Sequence, residues 1–330
     1  MFDAAMRLAV GSLSPAGRSG RLTIAIFHRV LPEPDPLFPE ELDRGRFDGV
    51  CAWLAAWFNV LPLDEAVQRL RTASLPPRAL AITFDDGYAD NHDVALPVLQ
   101  AHGLCATFFI ATGYLGGGRM WNDTLIEAVR RSGPAGLDVA GLGLHGASHH
   151  DTGSAAARRS AIDALLPAIK YLPPAARQSA VDAIAERVGA ALPRDLMMTP
   201  DQVRALAAAG MQIGAHTVSH PILARVGDAE ARAEMAASKA QLEDMLAQPV
   251  RLFAYPNGKP GADYSPRDVA IARSLGFDAA VSTMAGAARQ GADLHQLPRF
   301  APWSHQRAKF GGQMLRNLYA ARSAPAATGC

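Results

Sequence analysis

Ala79-Leu80-Ala81-Ile82-Thr83-Phe84-Asp85-Asp86-Gly87-Tyr88 sets six mostly apolar residues in front of two adjacent carboxylates and a glycine. A short, unbroken apolar run of this kind reads as a strand buried on both faces, leaving into a turn at Asp-Asp-Gly. Two neighbouring carboxylates at such an end are costly to keep ionised together unless a cation or a proton lies between them. Taken alone, the tripeptide is as readily an ordinary turn. A second cluster shifts that balance. His216-Thr217-Val218-Ser219-His220 also follows an apolar run, Met211 to Ala215. Two imidazoles four apart, joined by a carboxylate from another strand end, make a three-ligand set with open positions, as catalytic metals require.

Thr-Phe-Asp-Asp-Gly followed far downstream by His-Thr-x-x-His resembles the polysaccharide deacetylase family, the carbohydrate esterase 4-like group that shares the NodB homology domain. Both motifs are complete, and their order and strand context agree. With its middle treated as an insertion, the resemblance covers about residues 20 to 310. It implies an α/β fold, a distorted, incomplete (β/α) barrel of about seven strands, and the loss of strand–helix alternation near residues 116–196 reads as a mostly helical insertion. Residues 1–20 then form an N-terminal segment, 21–322 the NodB-like domain, and 323–330 a disordered tail. The activity implied is metal-dependent hydrolysis that removes N-acetyl groups from an N-acetylated sugar of a polysaccharide or glycan precursor. Asp86, His216 and His220 would hold one divalent cation, zinc by default, and Asp85 would be the catalytic base.

The chemistry is consistent with that assignment. A metal on those ligands lowers the pKa of bound water from about 16 to about 7 and polarises the acetyl carbonyl. Asp85, beside the metal and not on it, then accepts the water proton. The first predicted strand, Leu22 to Phe27, ends in Phe27-His28-Arg29. In the subgroup with an aromatic-His pair at this point the histidine is taken as the general acid, which assigns that role to His28. Other members use Leu-x-His near the C-terminus, and the only counterpart here is His295. The family's third motif, usually Arg-x-Pro-Tyr, is altered to Phe253-Ala254-Tyr255-Pro256-Asn257-Gly258. The backbone N–H of Tyr255 is then the candidate oxyanion donor. No arginine stands in register, so Arg299 is either the charge partner of Asp85 or an ordinary surface arginine. The fourth motif's tryptophan is absent after Asp278. His28, Asp85, Asp86, His216, Tyr255 and Arg299 all fall at or just beyond predicted strand ends, where a (β/α) barrel builds its site.

Composition sets wide limits. The chain has 330 residues, 49% hydrophobic and 19% charged, with a net charge of +1, so it is an ordinary globular sequence with no broad polyanion-binding surface and no nucleic-acid partner implied. Cys51, Cys105 and Cys330 are odd in number and lack a C-x-x-C, so neither a disulfide framework nor a zinc knuckle is supported. Asp3 and Arg7 interrupt the N-terminal apolar stretch, no run is long enough to span a bilayer, and the expectation is a cytoplasmic protein. The first residues read as a frayed terminus, with a short amphipathic helix on a membrane surface as the alternative.

Other local readings follow from patterning. Leu31 to Pro39, with four prolines, is a loop, and Arg46 to Phe58 is a helix packed on the barrel. Asp64 is placed as the cap of a helix over Glu65 to Arg71. Within the insertion, Pro167 kinks or splits a helix over Ala155 to Tyr171. His145-Gly146-Ala147-Ser148-His149-His150-Asp151 repeats the His-x-x-x-His spacing, but no strand feeds it, and it reads as a surface or groove-lining loop. Thr199-Pro200-Asp201-Gln202 is a strong helix start. Leu297 to Phe300 reads as a last strand. Two alternatives to sugar deacetylation stay open: hydrolysis of a small non-sugar amide, and a non-catalytic carbohydrate-binding protein with a vestigial site.

Overall fold

The structure is a computed structural model and describes residues 1–302 and 304–320; the tail read as disordered lies outside the described residues. The chain divides into two compact units, one built from Met1–Pro32, Leu42–Leu115 and the chain from Met198 onward, the other from Glu33–Glu41 and Gly116–Met197.

The first unit is an α/β barrel. Its strands are β1 (Arg21–Phe27), β2 (Asn59–Val60), β3 (Ala79–Phe84), β4 (Thr107–Ile110), β5 (Gln212–Ala215), β6 (Leu252–Ala254), β7 (Ala279–Val281) and β8 (Ala288–Arg289). They pair in the order β8-β1-β3-β4-β5-β6-β7, with β2 on β3. All pairings are parallel except β1 with β8. Between β7 and β1 the ring is spanned by Leu297–Phe300, which is no regular strand. It makes one bridge at each end, Leu297 to Val281 and Phe300 to Ala25. Pro298 lacks an N–H and interrupts any longer ladder. The barrel is therefore distorted and incomplete.

Strand periodicity sorts side chains between two faces. Leu80, Ile82 and Phe84 of β3 join Phe27, Phe108, Ile213 and Phe253 in a cluster under the surrounding helices. The alternate residues Ala79 and Ala81 join Leu22, Ile24, Phe109, Leu252, Ala254 and Val281 in a separate inner cluster. Small Ala79, Ala81 and Ala254 alternate there with Leu22, Ile24, Phe109 and Leu252, so that large and small side chains fill the narrow interior together.

The helices are α1 (Phe2–Leu13), α2 (Arg44–Trp57), α3 (Leu63–Arg71), α4 (Leu96–Ala101), α5 (Pro200–Ala208), α6 (Asp228–Leu246), α7 (Pro266–Ser274) and α8 (Arg307–Tyr319). Thr199 and Gln202 form the capping box that starts α5. Two local expectations are corrected. The N-terminus is not frayed: α1 buries Met6 and Val10, and Asp3 accepts a hydrogen bond of 2.6 Å from the Trp57 indole. Asp64 does not cap α3. That helix begins at Leu63, and its first N–H donates to Gln212 Oε1 of β5 at 2.8 Å, a long-range cap that local sequence does not reveal.

The second unit holds three helices, Trp121–Arg131, Ala155–Lys170 and Pro174–Val188, and a two-residue hairpin pairing Leu137–Asp138 with His149–His150. Leu37, Leu125, Val129, Leu165, Ile169, Val181 and Ile184 form its own core. The helix containing Pro167 is not split; it continues to Lys170. Asp35, from the proline-rich loop, pairs with both terminal nitrogens of Arg130 at 2.9 and 2.5 Å.

Candidate active site

The site lies at the C-terminal ends of β1, β3 and β5. Asp85 continues the inward series Ala79, Ala81, Thr83, and its N–H still donates to the Phe27 carbonyl at 3.0 Å. A regular strand would send Asp86 to the opposite face. Instead Asp86 leaves the strand at φ +78°, a left-handed conformation that aspartate tolerates better than most residues. Such a conformation costs about 1–3 kcal/mol and persists only where its surroundings enforce it. Gly87 follows at φ +92°, where an added Cβ would lie 3.3 Å from the Ile110 side chain.

His216 is the inward residue after β5. Its Nδ1–H donates to the Ala254 carbonyl at 2.7 Å, which turns Nε2 towards Asp86. The chain then turns through left-handed Thr217 (φ +64°) and His220 (φ +53°), and Thr217 Oγ1 accepts the His220 N–H at 3.1 Å. Asp86 Oδ1 lies 3.4 Å from Nε2 of both His216 and His220. That separation is long for a hydrogen bond. It matches the edge of a tetrahedron whose metal–ligand bonds are about 2.1 Å, which is about 3.4 Å. The three side chains keep their ligand atoms within 4.8 Å of one another, and among the described residues no other such group of three or more occurs. One carboxylate oxygen and two imidazole nitrogens, with His216 fixed through its second nitrogen, fit a divalent cation of the zinc type.

Electrostatics separate the two carboxylates from solution behaviour. Burial alone would push Asp86 up, but the imidazole of His216 and the charges of His220 and His28 hold it well below the usual range. Asp85, 2% exposed, is likewise opposed by burial and brought down by Arg299, with smaller help from His216 and His28. Burial drops His220 to about 4, so its imidazole is neutral at neutral pH. His216 is also disfavoured as a cation by burial, yet Asp85 and Asp86 outweigh that and raise it.

Arg299 is 1% exposed and grips Asp85 with both terminal nitrogens, at 2.7 and 2.6 Å. Its Nε donates to the Ser282 carbonyl at 2.9 Å, and its guanidinium lies 5.7 Å from the centre of the Phe109 ring. A surface arginine is thereby excluded.

His28 is exposed at the end of β1, close enough for its charge to act on Asp85, Asp86 and His220. Its carbonyl accepts from Asn91 Nδ2 at 2.8 Å, while Asp90 accepts from Arg29 Nε at 2.8 Å and the Val30 N–H at 3.1 Å. His295 is elsewhere. Its Nε2 bonds the Phe277 carbonyl at 2.9 Å, ahead of β7 and thus at the opposite end of the barrel.

Tyr255 departs from its expected part. Its N–H is taken by the β6–β7 ladder, donating to Val281 at 3.2 Å, so it is not an oxyanion donor. Its ring faces outward with Phe253, stacks on Tyr264 at 3.9 Å, and its hydroxyl donates to the His295 carbonyl at 3.0 Å. Three residues absent from the sequence reading support the site: Asp90 and Asn91 beneath the His28 turn, and Glu234 of α6 beneath the His220 turn. Asp90 and Asn91 closely follow the Asp-Asp motif, but nothing local marks Glu234. His145 and His149 are exposed in the second unit and join no cation-sized cluster.

A (β/α) barrel with charged and imidazole side chains gathered at its C-terminal strand ends has the layout of an enzyme active site able to hold a catalytic metal. The chain belongs to the polysaccharide deacetylase family, whose sequence model matches residues 72–181 and 175–280. It is accordingly a hydrolase of carbon–nitrogen amide bonds, an N-deacetylase. The Bacillus subtilis (strain 168) protein YxkH is 20% identical over 284 residues, 86% of this chain and 71% of that one. The Streptococcus pyogenes deacetylase PplD in complex with acetate superposes with a TM-score of 0.59 at 19% identity, over 90% of this chain and 98% of that one. IcaB from Ammonifex degensii gives 0.57 at 19% identity, over 93% and 99%. At these identities the structural likeness is one of fold.

Proposed function

We propose that this chain is a divalent-metal-dependent enzyme that removes acetyl groups from an N-acetylated sugar of a polysaccharide or glycan precursor. The observation that carries the reading is the meeting of Asp86, His216 and His220 beside a second, arginine-clamped carboxylate, Asp85. Asp86, His216 and His220 would hold a divalent cation, zinc by the ligand set, which would supply Lewis-acid polarisation of the acyl carbonyl and acidify water. Asp85 accepts the proton of the attacking water; Arg299 keeps it ionised and aims it. Each Asp85 oxygen retains a lone pair beyond its bond to Arg299, so proton acceptance does not require the clamp to open. His28, on the exposed rim, donates the proton that lets the sugar amine leave. With the Tyr255 N–H committed to the sheet and Pro256 lacking one, Asn257 (φ +59°) offers the first backbone N–H beyond β6 for the oxyanion.

Among the described residues no helix is long and apolar enough to cross a membrane. A cytoplasmic location is part of the proposal and directs the search to lipid- or nucleotide-linked precursors; recovery from the periplasm on fractionation would remove it. The test of function is acetate release from N-acetylglucosamine oligomers and nucleotide sugars, with and without chelator. Release that stops with chelator and returns with zinc is expected. Release undiminished in metal-free protein defeats the metal requirement, and no release by metal-loaded protein defeats the sugar assignment.

A further inference from the structure

We propose that Glu234 is the positioning residue that presets His220 for the cation. This inference rests on the metal reading above. Of the three candidate ligands, His216 directly follows β5 and is fixed by the Ala254 carbonyl, and Asp86 stands two residues beyond β3. His220 stands furthest from its strand, at the end of an irregular turn, Thr217 to His220, with left-handed residues at both ends. A turn of this kind relaxes unless its polar groups are held.

Glu234 holds it from outside. One carboxylate oxygen accepts two successive backbone N–H groups, those of Val218 and Ser219, each at 2.8 Å. The other oxygen accepts the Ser219 hydroxyl at 2.7 Å. The carboxylate sits on α6, whose Ala231, Met235, Ser238 and Leu242 are buried, so the anchor is rigid. The far side of the turn is pinned by β4's exit: Thr112 N–H donates to Thr217 and Gly113 N–H to Val218, at 3.1 and 2.9 Å. Gly113 is required there, since a Cβ would lie 2.7 Å from the Val218 carbonyl oxygen. The turn is thus clamped between a backbone edge and a carboxylate, and Glu234 reaches the cation only through His220. Groups that orient metal ligands in this way typically contribute about 10- to 100-fold in affinity.

The test measures zinc affinity of the full chain by competition with a chromophoric chelator, alongside the cobalt(II) absorption spectrum and the Tm of the metal-free protein. Parental protein that binds no metal defeats both this inference and the metal reading. With parental binding established, E234A should lose about 10- to 100-fold in affinity and alter the cobalt band. E234Q should restore most of the affinity, since its amide oxygen can still accept the two N–H groups, whereas E234D is too short to do so. Leu242→Ala, on the same helix but remote from the turn, controls for general loss of stability. Parental affinity in E234A, or an equal affinity loss in L242A at matched Tm, overturns the proposal.

Discussion

At the scale of single residues, the Arg299–Asp85 pair carries the sharpest consequences. Both groups are desolvated, so each depends on the other: removing one partner of a buried pair typically costs about 3–5 kcal/mol. Arg299→Met should destabilise the fold by that order in urea titrations. It should also release the Asp85 carboxyl upward, moving the acid limb of the kcat/KM pH profile to higher pH and lowering turnover about 100-fold. An unmoved limb would remove Arg299 from the site's electrostatics. For the proton donor, His28→Ala should lose about 100-fold in turnover at unchanged metal content, and His295→Ala almost none. The opposite result would transfer the role to His295. Tyr255→Phe removes one hydroxyl hydrogen bond on the outer face, at about 1 kcal/mol of stability, and should leave kcat and KM near parental values.

At the scale of elements, strand alternation explains how the site is assembled. Gly214 is the inner residue of β5 two places before His216, and an added Cβ would lie 2.4 Å from the Phe109 ring and 3.1 Å from the Leu252 carbonyl oxygen. Phe109 in turn lies beside the guanidinium of Arg299. Gly214→Ala should therefore cost at least about 1–3 kcal/mol in unfolding experiments and weaken metal binding as well, because the displaced ring moves towards the clamp. A variant with parental stability and metal content would show that the inner layer has slack. Helices were the more legible elements: Thr199-Pro200-Asp201-Gln202 starts α5 by a capping box written in adjacent residues. The start of α3 was not legible, because its cap is Gln212, from the far side of the barrel sequence.

At the scale of the whole molecule, metal binding and pH are linked. Burial holds the folded His220 near 4, so it contributes a loss of stability to the metal-free protein as pH falls from the unfolded value of about 6.5 towards 4. His216 acts in the opposite sense. Its raised folded pKa favours the fold below the unfolded value, and that contribution disappears as pH rises through the folded one. Cation binding needs His216 deprotonated, so a proton must leave. The gain in Tm on adding zinc should therefore increase as pH rises through the raised folded value of His216, and at 100 times Kd it corresponds to about 2.7 kcal/mol. Thermal scans with zinc and with chelator check this; a gain independent of pH would mean that no proton is displaced.

Apolar runs and the spacing of polar residues were enough to mark Asp85, Asp86 and His216 as strand-end residues, with His220 four places on, while the barrel itself was read from the resemblance those motifs carry. Those signals are local: a buried strand needs an apolar run, and a turn after it needs residues that tolerate one. Tertiary structure alone decided which N–H groups the sheet consumes, and so removed Tyr255 as an oxyanion donor. It also chose between two readings of Arg299, since the Leu297–Phe300 segment is placed by bridges to β7 and β1 that no neighbouring residue announces. Glu234 belongs to the same class: its partners are 15 and 16 residues away along the chain, and only packing of α6 brings them together. Ligand identity is a property of residue type and spacing; ligand orientation is a property of what packs behind.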